Sequence, residues 1–131
     1  MPQDRATAEE LLAGVEKFLR NDVLPQLGGS SVYKCRVAAN MLSIVQRELA
    51  QGPGADKTEL EGLELLLDRK SEKEDLQEAL DDLNRELCAK IRSGELDGQR
   101  GAVVAHTRRT LIDKVGIANP KYAGLPKQGR S

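Results

Sequence analysis

The chain has 131 residues with nearly balanced charge, 20 Lys and Arg against 21 Asp and Glu, and its aromatic residues are Phe18, Tyr33 and Tyr122 alone. That length suits one domain able to bury its own core, and an aliphatic composition without alternating β-branched runs excludes a sandwich and favours helix on helix. No stretch reaches the 18 or so apolar residues of a membrane span, and MPQDRATAEE has no hydrophobic run of signal-peptide length, so a cytoplasmic protein is expected.

The first helix is expected from Thr7, where Glu10 stands in the capping-box position, with Leu11, Leu12, Val15, Phe18 and Leu19 as its apolar set. Pro25 limits it, and Val23, Leu24 and Leu27 read as a last buried turn before Gly28-Gly29-Ser30-Ser31. A serine N-cap then opens the helix around which the chain is expected to pack, Tyr33–Leu49. At about 100° per residue, its apolar residues from Cys35 to Leu49 spread over roughly 200°. The remaining line holds Tyr33, Arg36, Asn40, Ser43 and Arg47. Gly52-Pro53-Gly54 is expected to end that helix.

A short third helix follows from Thr58 to about Asp68. A fourth starts at Ser71 and Glu74, with Leu76, Leu80, Leu83 and Leu87 forming a seam that faces the core helix. Gly94 and Gly98 bracket a turn, and Asp97 caps a fifth helix on which Val104, Leu111 and Val115 share one face with Arg108. His106, Arg109 and Asp113 lie on its far side, toward solvent. Gly116 is the expected stop. The expected fold is therefore all-α, a helical bundle of about five mostly antiparallel helices, over residues 1–123, with a flexible tail over 124–131.

Charge is unevenly placed. Up to Gln99 there are 13 basic and 20 acidic residues, and from Arg100 onward 7 basic and 1 acidic. The basic end is expected to pair with the acidic helices of the same chain. Without interleaved aromatic residues or a recognised module, nucleic acid is not an expected partner.

The polar line on the core helix has two physical explanations. Either it meets solvent or a structural hydrogen-bond network, or it lines a pocket. In the pocket reading Arg36 and Asn40 join Arg108 and Tyr122 around a carboxylate or phosphate, with Ser43, Arg47, His106 and Asn119 as secondary candidates. Internal salt bridging explains the same residues without a ligand and stays ahead. No catalytic residues are assigned. The lone histidine and two dispersed cysteines, Cys35 and Cys88, lack metal-ligand or nucleophile spacing, so no metal and no cofactor is expected and both thiols are expected buried and reduced. No GxxxxGK[ST], GxGxxG or GxSxG occurs. Gly14 and Gly62, inside helices, mark candidate points of close helix approach.

Arg36-Val37-Ala38-Ala39-Asn40 followed by Ile44-Val45-Gln46-Arg47-Glu48-Leu49 resembles a bacterial domain-of-unknown-function family. The resemblance extends to Arg5–Leu12, Phe18-Leu19, Val23-Leu24-Pro25, Leu87-Cys88, Ile91-Arg92, Gly94-Glu95, His106-Thr107-Arg108 and Ile117–Tyr122. It implies small helical proteins without an assigned activity, often encoded beside acyl-CoA dehydrogenases and aminoglycoside-phosphotransferase-like kinases. The family pattern falls on Arg36, Asn40, His106, Arg108, Asn119, Pro120 and Tyr122. The leading expectation is a non-enzymatic accessory or protein-interaction module linked to acyl-CoA metabolism. The alternatives are a small anionic-ligand binder or enzyme beside the core helix, and a homodimer joined through the leucines of the third and fourth helices.

Overall fold

The Thr7 hydroxyl accepts the Glu10 backbone N–H at 3.1 Å, and the Glu10 carboxylate accepts the Thr7 N–H at 2.9 Å. This reciprocal capping box satisfies two donors that a helix start leaves without partners, and it opens helix α1, Ala8–Phe18. The computed structural model describes residues 5–126, so the initial MPQD and tail residues 127–131 lie outside the described residues. After α1 the chain widens into a π-turn over Leu19–Val23 and tightens into a 3-10 turn over Leu24–Gln26, with Pro25 at its second position. Val23, Leu24 and Leu27 are half-buried there, as expected of a last apolar turn. Gly29, at φ 61°, then reverses the chain.

Among the described residues there are four α-helices and no strand, so the class is all-α and the expected count of five is too high. The second and third expected helices are one: α2 runs unbroken over Ser30–Leu67 with Pro53 inside it. A C′ glycine ends a helix by turning left-handed, and neither Gly52 nor Gly54 takes a positive φ. Proline's fixed φ is compatible with helix. Its penalty is a missing donor to the Leu49 carbonyl one turn back.

The described residues group into two units. The first reaches to Gly52 and includes Ile117–Asn119, and the second takes Pro53–Gly116 and the segment from Pro120. In the first, α1 runs antiparallel to the early turns of α2, since Arg20 meets Asn40 while Glu16 meets Ser43 and Gln46. Buried between them are Cys35 and Ala39, with Leu12, Leu19 and Leu42 half-buried. Val37 is half-buried too, but the larger apolar residues toward the end of the expected core helix are open: Met41 is 61% exposed, and Ile44, Val45 and Leu49 are exposed as well. Tyr33–Leu49 is therefore not a buried bundle centre, because only a narrow strip of small side chains is covered.

The core of the second unit is leucine. Leu63 and Leu67 of α2 pack with Leu80, Leu83 and Leu87 of α3, Leu76–Ser93, and with Leu96 of the following turn. Each such burial contributes on the order of 1.5–3 kcal/mol. These leucines are buried inside the unit, whereas Leu65 is 84% exposed. The cap of α3 is Asp75, whose carboxylate accepts the Glu78 N–H at 3.1 Å. The expected cap, Ser71, donates instead to Asp82 at 2.7 Å. Three pairs, Asp56 with Gln77, Glu59 with Asn84 and Arg69 with Glu86, advance together along both elements. The end of α2 and α3 thus run in the same general sense, and the connection around Asp68, itself at φ 50°, returns alongside them. That departs from the antiparallel arrangement expected of short connections.

Gly94, left-handed at φ 85°, closes α3. Asp97 then starts a 3-10 turn, Asp97–Gln99, rather than capping a helix directly, and α4 follows over Arg100–Ala118. Gly116 keeps helical geometry, and the helix stops two residues before Pro120 instead. Of the two cysteines, Cys35 is buried and Cys88 exposed, so only the first fits the buried-thiol expectation.

Candidate functional site

The polar line of α2 meets α1. Glu16 accepts from the Ser43 hydroxyl at 2.6 Å, the Gln46 amide at 2.7 Å and the Arg20 guanidinium at 2.7 Å, and Arg20 donates onward to Asn40 at 2.9 Å. The Ser43 hydrogen bond foremost, with those from Arg20 and Gln46, holds the Glu16 carboxyl down at about 2 against the opposing effect of desolvation. Asn40 and Ser43 are thus members of a structural network. One turn further, Arg47 donates to the Ile117 carbonyl at 2.7 Å, closing a helix-end acceptor with a cation where the helix dipole favours one. Arg36 and Asn119 are exposed.

The second polar centre lies within the second unit, where His106 was expected at the surface. His106 is 5% exposed and Glu59 6% exposed. His106 is buried on α4 and Val103, Thr110, Ile112, Asp113 and Val115 are half-buried, while Val104 and Leu111, expected inside, are exposed. Of the expected apolar face only Val115 is thus partly covered. Glu59 accepts from the Asn84 amide at 3.0 Å and pairs with the Lys114 ammonium at 3.3 Å. The His106 imidazole sits against Gly62, where an added Cβ would fall 2.5 Å from Nδ1. Nδ1 is buried without a hydrogen-bond partner. Burial first, then the Arg109 charge, pushes the imidazole below its ordinary pKa, with Glu59 opposing. Gly62 therefore marks a close approach, whereas Gly14, with nothing within 4 Å of its Cβ position, does not.

Arg108 and Tyr122 line a third feature, an open cavity of ≈ 500 Å³ along the outer face of α4. The expected quartet is thus divided: Arg36 and Asn40 belong to the first unit, Arg108 and Tyr122 to the second. Sequence reasoning missed Glu16, Arg20, Glu59, Asn84 and Lys114. The three-four spacing from Val103 to Asp113 was a visible signal for the buried side of α4, masked by the stronger apolar set opposite. Among the described residues no group of three His, Cys, Asp or Glu side chains is placed to hold a metal ion, and no helix is long and apolar enough to cross a membrane.

The described residues are all-α, and in each unit polar groups are set between helical segments. The chain belongs to the family described as Domain of unknown function (DUF6285), whose model matches residues 25–122. That span contains the polar line, the Glu59–His106 centre and Tyr122, and leaves α1 with Glu16 and Arg20 outside it. No curated protein and no solved structure matches the chain.

Proposed function

We propose that the protein is a non-enzymatic accessory module of the bacterial cytoplasm that binds an apolar helical surface of another protein. The observation that carries this reading is the outward placement of apolar residues on the α1–α2 hairpin. Glu16 and Arg20 face α2, and at about 100° per residue Leu11, Val15 and Phe18 point roughly the opposite way. Phe18 is 54% exposed. On α2, Met41, Val45 and Leu49 likewise face away from Asn40 and Ser43. A hairpin with polar groups inside and apolar stripes outside loses hydrophobic stabilisation unless something covers the stripes. The covering surface is a protein, because stripes along helices match helix-in-groove or helix-on-helix recognition. The resemblance to proteins encoded beside acyl-CoA dehydrogenases and aminoglycoside-phosphotransferase-like kinases makes those two enzyme classes the first partners to test.

The experiment mixes the purified chain with each neighbouring enzyme and measures mass by light scattering during size exclusion. The expected outcome is a stable complex that a Met41→Glu, Val45→Glu double variant abolishes while retaining its helical circular dichroism. No complex at micromolar concentration, or one indifferent to the double variant, overturns the reading.

A further inference from the structure

The outer face of α4 carries a second feature, independent of the hairpin. Val104, Arg108, Leu111 and Val115 follow one another along the helix, and Tyr122 and Leu125 of the succeeding segment stand across from them, enclosing the ≈ 500 Å³ cavity. Its volume is within the roughly 300–1,000 Å³ of small-ligand sites, and its composition, apolar walls with few polar groups, is theirs as well. One wall is set by a glycine. The Tyr122 ring lies directly over Gly124, where any Cβ would collide with it. Arg108 is the charged side chain of the lining.

We infer that this groove binds a soluble medium-chain carboxylate, its apolar chain along Val104, Leu111 and Leu125 and its head on Arg108. The charge of this end of the chain selects the head group. From Arg100 onward the chain holds 7 basic residues and a single acidic one, Asp113, and Asp113 lies well around α4 from Arg108, on the inward side with His106. Among the described residues Arg108 has no ion-pair partner. One guanidinium matches one planar monoanion in a two-point contact. The walls select the tail, since Val104 and Leu111 are both more than half exposed and gain from being covered.

The test titrates the full chain with decanoate, decanol and acetate, keeping decanoate below its micelle concentration, and follows the methyl NMR signals of Val104, Leu111 and Leu125. Decanoate is expected to shift them saturably, with decanol and acetate each weaker by about tenfold or more. Arg108→Gln should bring decanoate down to the level of decanol and leave decanol unchanged. Leu111→Asp, at an exposed position, should remove binding of both with the fold intact. The proposal is overturned if decanol binds as tightly as decanoate, if Arg108→Gln changes nothing, or if no saturable shift occurs. It is equally overturned if the groove signals move with protein concentration alone, which identifies a second copy as occupant. A chain ending at Pro126 whose groove signals differ from those of the full chain would assign the groove to residues 127–131 and overturn it too.

Discussion

The imidazole of His106 rests on Gly62, and no side chain larger than hydrogen fits between α2 and α4 at that point. Alanine is normally the better helix former by about 1 kcal/mol. Here the neighbouring atoms are His106 Nδ1 and Cε1 and an Arg109 nitrogen, within 2.5–3.0 Å of the added carbon, and the buried ring has little room to retreat. Gly62→Ala is therefore expected to destabilise the protein by about 1–3 kcal/mol in urea unfolding despite its helix propensity. Gly14→Ala, with open space around it, is the control and should be neutral or stabilising by up to about 1 kcal/mol. Equal effects at the two glycines would count against the close approach.

Acid should weaken the fold in two separate windows, and the signs agree. The folded state holds His106 neutral because burial, Arg109 and Lys114 outweigh Glu59, so its pKa lies below 6.5. As pH falls through 6.5 the unfolded chain takes up a proton that the folded chain refuses, and stability drops until the lowered folded value is passed. Glu16 acts later. Its pKa falls from 4.5 to about 2 on folding, so its contribution is complete above 4.5 and is lost between 4.5 and about 2. Urea midpoints measured from pH 8 to pH 3 should decline in both windows. His106→Gln is expected to flatten the first and Glu16→Gln the second; a midpoint constant between pH 7.5 and pH 5 would contradict a buried neutral imidazole.

Local signals in the sequence were legible where chemistry and geometry sit on adjacent residues. The Thr7–Glu10 box, a turn beginning at Gly94 and the apolar seam of α3 follow directly from residue type and spacing. The seam packs on Leu63 and Leu67, however, and not on Tyr33–Leu49 as expected, because spacing gives a face its direction and not its partner. Three features were not legible, each because tertiary context overrides a local preference. Gly52-Pro53-Gly54 reads as a helix end, but neither glycine takes the left-handed turn that termination uses. The apolar set Val104, Leu111 and Val115 reads as the buried face of α4. Val104 and Leu111 of that set stay exposed because the other side of α4 is the one that packs, with Val103 on the leucine core and His106 buried against Gly62. The polar line of α2 was seen as a shared direction, and what occupied that direction, Glu16 and Arg20, came from α1 and the turn after it, where Leu11, Val15 and Phe18 are exposed.

An unbroken α2 has a testable consequence at Pro53. A proline inside a helix forgoes one backbone hydrogen bond and crowds the preceding turn, a penalty of about 3 kcal/mol in an ordinary helix interior. Pro53→Ala restores the donor to the Leu49 carbonyl and should raise stability by about 1–3 kcal/mol, with a gain in helical ellipticity. If the chain instead turned at Gly52-Pro53-Gly54, alanine would relax a fixed turn and lower stability.

The Glu16–Ser43 contact, at 2.6 Å, is the shortest hydrogen bond of the α1–α2 network and carries the foremost part of the Glu16 pKa shift. A hydroxyl donating to a charged carboxylate is stronger than a neutral pair, about 1.5–3 kcal/mol net when well withdrawn from water. The side chains are only partly withdrawn from water, which screens some of that. Glu16→Gln, Ser43→Ala and the double variant should therefore show a coupling of about 1 kcal/mol at pH 7. The same cycle at pH 3 should show less, since Glu16 is closer to protonation there. Coupling within error of zero at both values would mean that Ser43 is solvated and the polar line is free to meet another ligand. Coupling that survives acid would place the interaction in shape rather than charge, and Glu16→Gln alone should then be nearly neutral.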